Sequence, residues 1–208
     1  MARPLHELPR RLAAYFRPAP IATAPAFGTF LAERAALLSQ KCAIDYCRGK
    51  TGLASYALFT EKPFLEALEV CRWETFAAAL EDLILLAEGE LRRHVADEQR
   101  QRLSAALLAL HSAILAMHPA PAHRPRGWSD AIEAFAARLH AAPAAPPRVL
   151  DLANHSAKRL FDTLPIHITM RQLDEEVVYG AVRFRMIAIS QEMRRRVRAG
   201  EVAASLVA

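Results

Sequence analysis

Glycine is scarce in this chain, with seven residues among 208. Common nucleotide folds turn on glycine, and neither G-x-G-x-x-G nor a complete phosphate loop occurs. Gly49-Lys50-Thr51-Gly52 comes nearest, but the motif's first glycine is missing and the preceding segment reads as helix, not strand. Alternation of Val, Ile, Thr and aromatic residues is nearly absent too, which argues against a sheet protein. Only three cysteines are present, Cys42, Cys47 and Cys71. Their odd number and irregular spacing exclude a disulfide framework. Cys42 and Cys47 would point about 140° apart on one helix and so do not chelate one metal. They are expected to be reduced, partly buried thiols of a cytoplasmic protein.

Long apolar runs are missing as well. The longest uncharged stretch is Leu103–His123. Its apolar part, Leu103–Met117, falls short of the roughly 20 residues that span a bilayer and reads as a core helix. The first residues lack the apolar centre of a secretory leader. G-x-S-x-G, H-E-x-x-H, C-x-x-C, paired Glu-x-x-His and the calcium loop of an EF-hand are all absent. Glu90 and His94, four apart, make one half-site at most. The sequence therefore predicts no metal and no cofactor, and it leans away from an enzyme.

What the chain does have is 53% hydrophobic residues, with alanine and leucine prominent. That composition and length predict an all-α, single-domain helical bundle of about five or six helices. Residues 1–26 read as a flexible, proline-rich basic arm and residues 27–208 as the helical domain. Prolines at 4, 9, 18, 20 and 25 break the arm. Leu5, Leu8, Leu12, Tyr15 and Phe16 give it an apolar edge beside Arg10, Arg11 and Arg17, suited to peripheral contact with an anionic membrane or a protein partner.

Helical spacing then predicts successive helices. One runs from a Thr29 cap to about Arg48, and one from Thr60 and Pro63 to about His94, with Gly89 able to bend or end it. Another follows a cap at Asp97, with Leu103, Leu107, Leu110, Ile114 and Met117 as its seam. A capping box at Asp130 and Glu133 opens a short helix to about His140. The next spans Val149–Thr163. His118–Trp128 and Ala141–Arg148 are proline-rich connections.

The last helix, expected to begin near Thr169, carries two apolar stripes. One is Leu173, Val177, Gly180/Ala181, Phe184 and Ala188. The other is Val178, Val182, Met186, Ile189, Met193 and Val197. Two adjacent stripes predict a long C-terminal helix at the centre of the bundle, with Gly180 admitting a close neighbour.

The net charge of +5 is modestly basic. Nucleic acid is not an expected partner: Arg183 and Arg185 lie about 200° apart on a helix, and Glu192 dilutes the arginines that follow. Ionisable residues instead crowd the junction between the last two helices. His155, Arg159, Asp162, His167, Arg171, Asp174 and Glu175 are the candidate ligand-binding residues, with the arginines suited to an anion and the histidines to proton transfer. An arginine–carboxylate network that locks the hairpin is the structural alternative. The leading functional expectation is a non-enzymatic, cytoplasmic interaction or assembly module with a protein partner. The alternative is a helical enzyme or small-ligand binder using the 155–175 junction. Oligomeric state is not readable from the sequence.

Overall fold

The computed structural model describes residues 19–143 and 145–208. Residues 1–18, and with them most of the basic arm and its expected membrane or partner contacts, lie outside the described residues. Among the described residues the fold is all-α, with one isolated backbone bridge. Seven helices carry it: α1 (Ala24–Thr51), α2 (Lys62–Leu91), α3 (Arg100–Ala116), α4 (Ser129–His140), α5 (Val149–Thr163), α6 (Glu175–Arg196) and α7 (Ala199–Val207). One-turn helices Ser55–Leu58 and Ile168–Arg171 lie in the connections. No helix of the described residues is long and apolar enough to cross a membrane.

Helices α1, α2, α5 and α6 pack in that cyclic order as a four-helix bundle. Helices α3, α4 and α7 form a second layer over the outer side of α2. Helix α2 thus belongs to both layers and is buried nearly all round between Glu74 and Leu91. This corrects the expectation of a central C-terminal helix. Helix α6 buries one stripe, Val178, Val182, Met186, Ile189 and Met193, against α5 and α1. Its other stripe faces solvent, and a Cβ added at Gly180 would meet nothing within 4 Å. The close glycine contact lies elsewhere, at Gly89 on α2. A Cβ there would come within 3.1 Å of Pro147 and 3.3 Å of Pro146, so glycine lets the proline-rich connection cross the helix.

Helix boundaries follow local chemistry. The cap of helix α1 lies six residues before Thr29, at Thr23: its hydroxyl accepts from the Ala26 N–H, and Pro25 sits in the first turn where its missing N–H costs nothing. Thr29 instead donates to the Pro25 carbonyl within the helix. Gly52, at φ 54°, ends α1. The predicted capping box at Asp130 does not form, since Trp128 holds the cap position without a side-chain bond. At the other end of the chain the expected single helix breaks at Val197, whose backbone is extended. There Ile21 N–H donates to the Arg196 carbonyl and Arg198 N–H to the Ile21 carbonyl, both at 2.8 Å. Residue 21, assigned by sequence to the arm, is thereby fixed in the domain.

Candidate functional site

The seven ionisable residues expected at the α5–α6 junction divide among separate contacts. His155 and Arg159 face α2: His155 Nε2 lies 3.3 Å from Glu81, and Arg159 lies 3.8 Å from Glu74. Asp162 is exposed and pairs with Lys158 one turn away, at 2.7 Å. His167 caps the Ile168–Arg171 turn, with Nδ1 2.8 Å from the Thr169 hydroxyl. Asp174 accepts from Lys50 at 2.6 Å and from the Tyr46 hydroxyl at 2.8 Å, tying the end of α1 to the start of α6. Those two bonds hold the Asp174 carboxyl below its usual range. Glu175 is exposed in the first turn of α6.

Arg171 is buried and serves the backbone. Its guanidinium donates to the Ile166 carbonyl at 2.8 Å and to the carbonyls of Phe161 and Asp162, and it lies over the Phe161 ring. Helix α5 ends in carbonyls that no later turn can satisfy, and Arg171 takes up two of them.

The densest charge network lies on α2 and was not expected from the sequence. Glu74, Glu81 and Glu88 recur every seven residues along one face, with Asp82 beside them, and all four are buried. Arg124, from the loop after α3, donates to both Glu74 oxygens at 2.6 and 2.8 Å, and His123 lies 2.8 Å from the same carboxylate. Arg138 of α4 bridges Glu81 at 2.6 Å and Asp82 at 2.8 Å. The Ser156 N–H of α5 donates to Asp82 at 3.0 Å. Arg92 closes the series on Glu88 and on the Pro143 carbonyl. Burial pushes Glu74 upward, but Arg124 and His123 hold its carboxyl below the usual value. At Glu81 the same opposition, between burial and its His155 and Arg138 neighbours, also ends low. At Asp82, wholly enclosed, burial wins and the carboxyl is raised. Arg124 from the loop, Arg138 from α4 and the Ser156 N–H and His155 of α5 all meet acids of α2, so the network locks α4, α5 and the loop onto α2. The seven-residue repeat of glutamates within an apolar helix is the sequence signal that the reading of α2 passed over.

Next to this network His111 is fully buried, with neither ring nitrogen hydrogen-bonded, and its ring lies 4.3 Å from that of Phe135. Burial lowers it to about 4. The cysteines are unpaired and buried; burial lifts Cys42 and Cys71 to about 11 and Cys47 to about 12, which keeps the thiols protonated and unreactive.

Two features face solvent and remain unsatisfied by the chain itself. The first is the outer stripe of α6. On the helix Val177, Gly180, Phe184 and Ile187 follow at steps of three, four and three, and Leu173 lies in the turn just before it. Leu173 is 90% exposed, Phe184 74% and Val177 63%. Large exposed apolar residues in a row mark interaction surfaces, whereas scattered ones do not. The second is an aromatic groove between α1 and α2 near Trp73.

No family model, no curated protein and no solved structure matches the chain.

Proposed function

We propose that the protein is a non-enzymatic helical assembly module that pairs with a second copy of itself, antiparallel, through the outer stripe of α6. The observation that carries this reading is the 3-4-3 apolar seam of Val177, Gly180, Phe184 and Ile187 on α6, extended by exposed Leu173 in the turn before it and left open by the fold. Such spacing is the pattern by which one helix packs along another. Gly180, at its middle, has open space where a side chain would lie. An exposed glycine within a helix costs about 0.5–1 kcal/mol against alanine, and a close helix crossing is the arrangement that uses it.

Charge selects the second copy and the antiparallel sense. Helix α6 is acidic at its start, with Glu175 and Glu176, and basic at its end, with Arg194–Arg196. With the crossing at Gly180, an antiparallel copy sets the acidic start of the helix against the stretch of its partner that holds Arg183 and Arg185. Along one flank of the seam Glu176 and Arg183 lie seven residues apart, on either side of Gly180. In the antiparallel pair, equivalent flanks face each other, so each Glu176 meets the other copy's Arg183. Within one chain these two side chains are 3.3 Å apart and Glu176 is largely exposed, free to exchange partners. The three unpaired thiols agree with a reducing compartment such as the cytoplasm.

Sedimentation equilibrium of the full chain tests the reading. A dimer is expected, with Phe184→Asp monomeric and normally folded. Glu176→Arg and Arg183→Glu should each weaken association, and the double exchange should restore it. A wild-type monomer at 100 µM, or a dimer indifferent to Phe184→Asp, refutes the proposal. So does a Phe184-dependent heteromer with another protein in place of the homodimer.

A further inference from the structure

Between the middle of α1 and the first half of α2 lies a groove of about 410 Å³. That volume suits a small molecule. Leu65, Leu68 and Phe76 form apolar parts of the wall, and Trp73 and His118 form its aromatic end. The rings are held at angles that leave a corner. Trp73 meets Phe76 edge-on at 5.8 Å, His118 lies 5.2 Å from Trp73, and His118 meets Phe76 edge-on at 5.8 Å. Trp128, 6.1 Å behind Trp73, supports the corner from outside the groove.

Arg72 is the exceptional group here. It lines the groove, it is half-buried, and its Nε is buried without a hydrogen-bond partner. No ion pair or hydrogen bond of the described residues engages it. Arg124, Arg138 and Arg171 are each engaged by carboxylates or carbonyls. A buried N–H is costly to leave unpaired, and the guanidinium fork that carries it suits a planar, two-oxygen anion. Glu69, one turn earlier on α2, lines the same groove and opposes a second negative charge in the ligand. The Gln40 amide on the α1 side adds a neutral polar contact at the rim.

We infer that this groove is a binding site for a small amphipathic monoanion, an aryl or medium-chain alkyl carboxylate. Its head group pairs with Arg72 and its apolar body lies on Trp73, Phe76 and Leu68. The site is independent of the α6 seam and stands whether or not the protein dimerises.

Two dyes of similar shape test it: 8-anilinonaphthalene-1-sulfonate, which carries one anionic head, and uncharged N-phenyl-1-naphthylamine. On the full chain the anionic dye should bind at one site and quench tryptophan emission by energy transfer. Arg72→Gln should weaken the anionic dye about tenfold or more, as loss of a charged hydrogen bond predicts, while the neutral dye changes less than about twofold. Decanoate should displace the anionic dye and decanol should not. Gln40→Trp, which fills the groove from the exposed rim, should abolish binding of both dyes; circular dichroism verifies that each variant is folded. The inference fails if Arg72→Gln binds both dyes as the wild type does, or if Gln40→Trp leaves binding intact. It fails equally if dye binding is lost in Phe184→Asp but kept in Arg72→Gln, which would assign the dye to the α6 seam.

Discussion

The Arg138 guanidinium lies 2.8 Å from Asp82, a carboxylate with no exposed surface, and the same guanidinium holds Glu81 at 2.6 Å. One arginine from α4 therefore neutralises two adjacent acids on the helix that both layers share. Arg138→Met should leave two buried carboxylates without their cation and cost about 3–5 kcal/mol. Urea unfolding measures it. Adding Glu81→Gln and Asp82→Asn should recover a large part of the loss, because the penalty comes from the uncompensated charges.

His111 sets an acid-sensitive component of stability. Its folded-state value, about 4, lies below the ordinary 6.5, so the unfolded chain takes up the proton first. Stability from this group is complete above about pH 6.5, falls as the pH drops toward 4, and levels off below. The span is on the order of 3–4 kcal/mol at about 1.36 kcal/mol per pH unit. His111→Leu should flatten unfolding free energy between pH 6.5 and 4 relative to wild type. It should also stabilise the protein at pH 7 by about 1–2 kcal/mol, since two unpaired buried ring nitrogens are removed. Equal slopes in the two proteins would remove His111 from the account.

Gly180 separates folding from association. With nothing near its Cβ position, Gly180→Ala should stabilise the dilute, monomeric protein by about 0.5–1 kcal/mol. Gly180→Leu should leave the monomer folded but weaken the proposed dimer, because the crossing has no room for it. Melting at low concentration and sedimentation at high concentration read the two effects independently.

At Gly89 the opposite sign is expected. Its Cβ direction points at the backbone of Pro146, 3.3 Å away. Gly89→Leu should overpack the crossing and cost about 1–3 kcal/mol in thermal or urea unfolding.

Arg171→Met tests the end of α5. Three carbonyls lose their donor, and a cost of about 1–3 kcal/mol follows from leaving buried acceptors unpaired. Hydrogen exchange should quicken first in the last turn of α5.

Composition and spacing alone were enough for the all-α class, the span of α5, the Leu103, Leu107 and Ile114 part of the α3 seam and the inward stripe of α6. Those follow from composition and from a 3.6-residue period, which need no knowledge of neighbours. Spacing also gave Val177, Gly180 and Phe184 as part of a second stripe, with Ala188 in place of Ile187, and did not show that the stripe faces outward. Which stripe is covered depends on what packs there, and only the tertiary structure decided it. Helix α2 was harder to read for a physical reason. Its buried Glu74, Glu81, Asp82 and Glu88 look like a solvent-facing polar side, and only Arg92, Arg124 and Arg138, the last two brought in from about 50 residues away, make their burial affordable. The same dependence on distant chain scattered the 155–175 residues, sending His155 and Arg159 to α2 while Asp174 turned to α1. Charge identity is local to the sequence; charge partnership is set by how the helices pack.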